Sequence, residues 1–101
     1  MSKASIIIVN YNGENFISDC LKALEAQTSK DFEIVIVDNG STDNSLNVIR
    51  SYLKENPLIP STKLISLDKN LGFTGGNIEG LKNAKGEYIA LLNNDIEADR
   101  R

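Results

Sequence analysis

Two short stretches hold residue types able to do chemistry: Leu71-Gly-Phe-Thr-Gly-Gly-Asn77 and Leu91-Leu-Asn-Asn-Asp95. Glycines let backbone N–H groups come close to a ligand, and a carboxylate at the C-terminal end of a strand can hold a metal ion there. A glycine-rich helix entry, followed by an apolar strand ending in Asn93-Asn94-Asp95, points to a nucleotide-sugar site. Three glycines at a helix start suit phosphate or sugar approach; tight packing of helix on sheet is the alternative. The segment differs from the dinucleotide fingerprint, which would follow the first strand, and lacks the Lys-Ser/Thr ending of a P-loop.

Two earlier loops offer further candidates. In Asn10-Tyr-Asn-Gly-Glu14, Tyr11 directly after a buried strand can stack on a nucleobase; a turn built from Asn and Gly is the plainer reading. In Asp38-Asn-Gly-Ser-Thr-Asp43, the strand-ending Asp38 needs donors if buried, and a pyrimidine ring N–H is one. Asp43 is expected to cap a helix. Asn39-Gly-Ser41 matches a glycosylation sequon, discounted for want of a secretory signal.

These loops must be held by alternating strands and helices. Ser5–Val9 and Glu33–Val37 are continuous apolar, β-branched runs, as in strands buried on both faces. Between them Phe16, Ile17, Cys20, Leu21 and Leu24 recur at helical spacing over Glu14–Gln27, so Cys20 reads as a core residue. A second helix carries Leu46, Val48, Ile49 and Leu53. Asn56-Pro57 and Pro60 then mark a loop before a weaker edge strand, Lys63–Leu67. A third helix is predicted over Phe73–Ala84, with Lys85-Gly86 as its C-cap, and a fourth strand over Glu87–Leu92. The expectation is an α/β fold: a three-layer parallel sheet of Rossmann-like βαβ units in the order 3-2-1-4, with a switch point between strands one and four.

Bulk properties exclude several classes. At 101 residues the chain is one domain, with 41% hydrophobic and 25% charged residues, an ordinary globular balance. A net charge of −3 without a basic cluster argues against nucleic-acid partners. One cysteine and no histidine rule out an internal disulfide, Cys/His metal sites and His-based triads. The N-terminal apolar run is too brief for a signal peptide or membrane span, so a cytoplasmic location is expected. Peripheral attachment of a parent protein to the inner membrane face is compatible with it.

Taken in order, Ile6-Ile-Ile-Val-Asn-Tyr-Asn12, Val37-Asp-Asn-Gly-Ser-Thr-Asp43, Asn70-Leu-Gly-Phe-Thr-Gly-Gly-Asn77 and Gly86-Glu-Tyr-Ile-Ala-Leu-Leu-Asn-Asn-Asp95 resemble the family 2 glycosyltransferases, which use nucleotide-sugar donors on the GT-A fold. The resemblance covers nearly the whole chain. It implies that residues 1–101 are a single nucleotide-sugar-binding domain, the N-terminal part of a longer glycosyltransferase domain. By the same resemblance Asn10 and Tyr11 contact the nucleobase and Asp38 accepts from the pyrimidine ring N–H. Gly72, Gly75, Gly76 and Asn77 line the ribose and phosphate, with Asn93 and Asn94 also on the nucleotide. Asp95 is the last acidic position of the Asp-x-Asp motif and holds Mn²⁺ or Mg²⁺ on the diphosphate. If Asp38 and Asp95 both face that diphosphate, like charges about 4 Å apart repel by roughly 4 kcal/mol at an effective dielectric near 20, which a divalent cation offsets.

Two positions depart from the family pattern. Asn93 replaces the first Asp of the motif, and Asn39 stands where many members have a second acidic residue. The combination looks most like the rhamnosyltransferase-like branch, which tends to use deoxythymidine diphosphate sugars. Inverting transfer needs a general base for the acceptor hydroxyl of a saccharide or glycoconjugate. The family supplies it from the second half of the domain, so no catalytic residue is assigned here, Glu97 and Asp99 included. The 101 residues are then expected to bind donor without transferring it, and to self-associate through an exposed fourth strand, Tyr88–Leu92. The alternatives are a noncatalytic nucleotide-binding or assembly module and a flavodoxin-like regulatory domain.

Overall fold

A computed structural model describes residues 4–26, 31–55 and 62–95. Along the chain come β1 (Ala4–Tyr11), α1 (Ile17–Glu25), β2 (Phe32–Asp38), α2 (Ser45–Glu55), β3 (Thr62–Ser66), α3 (Gly72–Lys82) and β4 (Tyr88–Asp95). All strand pairs are parallel and the sheet order is β3-β2-β1-β4, as the sequence predicts.

The period-2 alternation of β1 and β2 divides the core into two layers. Ile8, Ile34 and Ile36 point to one face, where Ile17 and Leu21 of α1 and Ile49 of α2 cover them. Ile7, Val9, Val35 and Val37 point to the other, beneath α3. Every residue of β2 is buried, which explains its unbroken apolar run. Each fully buried Ile contributes about 1.5–3 kcal/mol relative to exposure. Cys20 packs half-buried on the first layer, and burial pushes its thiol pKa up, as befits a core residue.

α3 rests on β1 through glycine. A Cβ at Gly80 would lie 2.4 Å from Ile7 Cγ2, and one at Gly76 would lie 2.8 Å from Val9 Cγ1. Neither has room for a side chain, so this close packing requires glycine at both positions.

Three predicted boundaries shift. α1 begins at Ile17 rather than Glu14, because Asn12 and Glu14 bond to the loop after β2 instead of entering a helix. α3 ends at Lys82: Asn83 is its C-cap, with Asn83 Nδ2 donating to Glu79 O at 3.0 Å. Gly86 therefore does not cap it; Gly86 N–H donates to Ser5 Oγ at 2.7 Å, and a Cβ there would sit 2.5 Å from Ala4 C. β4 does not stop before Asn93 but continues to Asp95, with Asn10 opposite Asn94 and Tyr11 opposite Asp95. The loop predicted at Asn56-Pro57 and Pro60 lies outside the described residues, as do Gln27, Glu97 and Asp99.

β3 forms one edge and β4 the other. Tyr88, Ile89, Leu91 and Leu92 are exposed, Tyr88 at 64%. At the opposite end of the strands from the candidate site, buried Glu33 is held by Ser5 Oγ and Lys85 N–H, with Lys63 Nζ at 3.9 Å. Burial raises its pKa, but the Ser5 hydrogen bond, the Lys85 and Gly86 amides and the Lys63 charge outweigh that and leave it below the ordinary value.

Candidate functional site

In a parallel sheet the loops after the strands gather at one end, and the candidates lie there. The loops after β1 and β2 are stitched together. Asn12, with φ 52°, adopts the left-handed conformation that Asn tolerates better than most residues. Its Oδ1 accepts from Thr42 N–H at 2.8 Å and from Asp43 N–H at 3.2 Å. Glu14 Oε1 accepts from Asn44 N–H at 2.9 Å, and Glu14 N–H donates to Asp43 Oδ2 at 3.1 Å. Asp43 Oδ1 in turn accepts from Ser45 N–H and Oγ, at the start of α2. Burial would raise the Asp43 pKa, but the bonds from Ser45 and from the Glu14 amide prevail and hold it below the usual carboxylate range. Asp43 is thus structural, as its position predicts.

Asp38 is 3% exposed and finds its donors within the protein. Its Oδ1 accepts from Asn10 Nδ2 at 3.0 Å and from Ser41 Oγ at 2.7 Å; Oδ2 accepts from Ser41 N–H at 3.2 Å. Each carboxylate oxygen offers two lone pairs, so Oδ2 keeps capacity for one further donor. Asn10 is fully buried beneath it, in register with it across β1 and β2, while Tyr11 beyond is only half-buried.

Asn39 is the residue that the sequence underrates. It is 2% exposed, and its N–H donates to Asn10 O at 2.8 Å. Its Oδ1 accepts from Leu71 N–H at 2.9 Å while its Nδ2 donates to Gly72 O at 3.0 Å. A side chain so committed is no glycosylation acceptor. An Asp here could accept but not donate, so the departure from the acidic pattern has a structural reason.

The glycine-rich segment splits into parts. Gly72, with φ 81°, is exposed and, among the described residues, has nothing within 4 Å of a would-be Cβ. At Gly75 a Cβ would meet Leu71 Cβ at 2.6 Å, and Gly76 packs on Val9 and Asn39. Asn77 is 7% exposed; its Nδ2 donates to Phe73 O at 3.1 Å, but among the described residues its buried Oδ1 has no partner. An acceptor left so costs about 1–3 kcal/mol and calls for a donor.

The end of β4 completes the site. The side chains of Asn93, Asn94 and Asp95 lie outside the described set, but register places their backbone beside Val9, Asn10 and Tyr11. β1 stands between β2 and β4, so Asp38 and Asp95 belong to strands separated by two sheet spacings, about 10 Å. Among the described residues no cluster of three metal-ligating side chains occurs. A single carboxylate at this strand end fits a cation shared with ligand phosphates, in the manner of Mg²⁺, rather than a cage made by the protein alone.

A parallel sheet in 3-2-1-4 order, with convergent polar loops at its C-terminal end, defines an α/β unit of the GT-A kind. The chain belongs to glycosyl transferase family 2, whose family model matches residues 5–101. It is 40% identical over 96 residues to a poly(ribitol-phosphate) beta-glucosyltransferase of Bacillus spizizenii, covering 92% of this chain and 15% of the relative. A teichoic acid poly(glycerol phosphate) polymerase of Staphylococcus epidermidis is 32% identical over 97 residues, covering 96% of this chain and 13% of the relative. Among solved structures, residues 1–349 of S. aureus TarS in complex with UDP superpose with a TM-score of 0.79 at 32% identity, over 91% of this chain and 27% of that one. A Pyrobaculum calidifontis mannosyltransferase in complex with GDP-Man and Mn²⁺ also gives 0.79, at 25% identity, over 86% of this chain and 26% of that one. The chain thus spans well under a third of the length of these relatives.

Proposed function

We propose that the chain is the donor-binding portion of a metal-dependent inverting glycosyltransferase that acts in cell-wall polysaccharide or glycoconjugate synthesis. The observation that carries this reading is the convergence of Tyr11, Asp38, Gly72 and the Asp95-bearing strand end on one end of the sheet of a family 2 chain. On this reading Tyr11 packs on the nucleobase and Asp38 Oδ2 takes the ring N–H. Asn10 acts from beneath by orienting Asp38. The Gly72–Asn77 segment faces ribose and diphosphate, with Asn77 Oδ1 as an acceptor for a sugar hydroxyl. Asn93, Asn94 and Asp95 complete the donor side. Asp95 would hold a divalent cation, Mn²⁺ or Mg²⁺, which when bound neutralises the departing diphosphate. The neighbour's complex with GDP-Man and Mn²⁺ supports a cation in such a site.

On this reading none of these 101 residues is assigned to deprotonate the acceptor hydroxyl, and they bind donor without transferring it. Asn93-Asn94-Asp95 together with Gly72-Phe-Thr-Gly-Gly-Asn77 favours the rhamnosyltransferase-like branch, with a thymine base. The proposed location is cytoplasmic, at the inner membrane face for a parent protein; among the described residues no helix is long and apolar enough to cross a membrane. The test is calorimetric titration with the diphosphates of deoxythymidine, uridine and guanosine, each with and without Mn²⁺. Metal-dependent binding that Asp95→Asn abolishes is expected. A folded sample that binds none of the three sinks the reading.

Among the described residues no strand covers the outer edge of β4, which favours one addition: the chain self-associates through Tyr88–Leu92. Sedimentation should show concentration-dependent dimers that Leu91→Lys disperses. A strictly monomeric wild type at high concentration contradicts it.

A further inference from the structure

We propose that Asn39 is the positioning residue of the glycine-rich loop, and that it can do this only as a neutral amide. Three elements meet on it. Its N–H binds the end of β1 at Asn10 O, its Oδ1 takes Leu71 N–H, and its Nδ2 holds Gly72 O, at 2.8, 2.9 and 3.0 Å. α3 closes over it: a Cβ at Gly76 would lie 3.1 Å from Asn39 Nδ2. The amide therefore sets how far the start of α3 stands from Asp38 and from the end of β1. Both peptide groups it holds lie in the turn that puts Gly72 at φ 81°.

The clasp needs a donor and an acceptor on one planar group. Asn supplies both without charge. A carboxylate keeps the bond to Leu71 N–H but turns its second oxygen on Gly72 O, oxygen against oxygen. Only the protonated acid restores the donor. The titratable groups around this point are Asp38, next in the chain, and Asp68 and Lys69, in the segment leading to Leu71. β1 contributes the uncharged Val9 and Asn10, and α3 the uncharged Gly76. Asn39 itself adds no titratable group to the clasp, whereas an acidic residue at 39 would couple it to pH.

The consequence for ligands rests on the proposed donor site, because it takes the Gly72–Asn77 segment to face the diphosphate. The experiment separates the two. Wild type, Asn39→Asp and Asn39→Ala are compared at each pH from 5 to 8 by amide hydrogen exchange at Leu71 and by affinity for uridine diphosphate with Mn²⁺. Comparison at equal pH removes the pH dependence of the phosphate, which all three proteins share.

Expected is exchange at Leu71 about tenfold faster in Asn39→Ala, with β1 and β2 amides still protected, and affinity lower by about tenfold, the weight of one buried hydrogen bond. Asn39→Asp should match that loss of affinity at pH 8 and approach wild type at pH 5. A purely structural role would not produce this pH-dependent rescue without a change in global protection. Equal Leu71 exchange in all three proteins overturns the inference. So does an Asn39→Asp deficit that does not change with pH, or failure of Asn39→Asp to fold even at pH 5. If wild type binds no nucleotide, the donor-site reading fails while Leu71 exchange still decides the role of Asn39.

Discussion

Asn10 and Asp38 stand opposite each other at the C-terminal ends of β1 and β2, and Asn10 Nδ2 donates to Asp38 Oδ1 at 3.0 Å with both side chains buried. The pair makes the floor of the candidate site part of the sheet itself. Ser41 closes the arrangement: its hydroxyl donates to Asp38 and accepts from Asn12 N–H at 3.0 Å. Groups held this firmly need no reorganisation when a ligand arrives, which is the structural content of preorganisation.

Asp38→Asn should therefore affect two quantities together. It replaces an acceptor for three donors by a group that presents N–H toward Asn10 or Ser41. A stability loss of about 1–3 kcal/mol in urea unfolding is expected, along with loss of most nucleotide affinity. If stability falls and affinity does not, Asp38 is a strut and the base is read elsewhere.

The glycines of α3 should separate by function. Gly80→Ala drives a methyl to 2.4 Å from Ile7 Cγ2, a branch near the main chain that cannot swing away, and should cost about 1–3 kcal/mol. Gly72→Ala meets no atom of the described residues within 4 Å and suffers the strain of its φ of 81°, about 1–2 kcal/mol. Gly72→Ala should weaken nucleotide affinity more than its stability loss explains, and Gly80→Ala should do the reverse. Thermal unfolding paired with calorimetry distinguishes them, and identical profiles would reject the division.

What the sequence revealed follows from which interactions are local. The unbroken apolar runs of Ser5–Val9 and Glu33–Val37 disclose buried parallel strands, and the weaker Lys63–Leu67 run discloses an edge. Crossover handedness then leaves few sheet orders, and 3-2-1-4 is the one observed. The long-range partners of Asn12, Asn39, Ser41 and Glu33 were not legible, because each lies about thirty or more residues away and no periodicity marks it. Gly86 misled for a related reason. A glycine after a helix suggests a cap, yet this one is required by β1, far away in sequence. Asn-Gly-Ser-Thr-Asp does signal a turn, and a buried Asn with both a donor and an acceptor to place could have been sought there.

Glu33 should make stability depend on acid. Its folded pKa lies below the ordinary value, so its contribution is present above about pH 4.3 and is lost as pH falls through the folded value. Asp43 has the same sign, present above about pH 3.9. Glu33→Gln should cost about 1–3 kcal/mol at pH 7, and its melting curve should converge on wild type in acid. Parallel curves down to pH 3 would show that the Ser5, Lys85 and Lys63 partners contribute nothing.

Tyr52 gives the alkaline counterpart. It donates to Glu25 Oε1 and so ties α2 to α1. Burial, with the Glu25 hydrogen bond and charge added, pushes its pKa up to about 12. A raised folded value means that its contribution is complete below about pH 10, the unfolded value, and is lost as pH rises toward 12. Ultraviolet titration should show a tyrosine ionising at about 12, and Glu25→Gln should lower that step. Because the phenol also packs on the first core layer, Tyr52→Phe should keep most of the stability at pH 7 and shed the alkaline dependence. If Tyr52→Phe melts with the same pH profile as wild type above pH 10, the hydrogen bond to Glu25 has no part in joining the two helices.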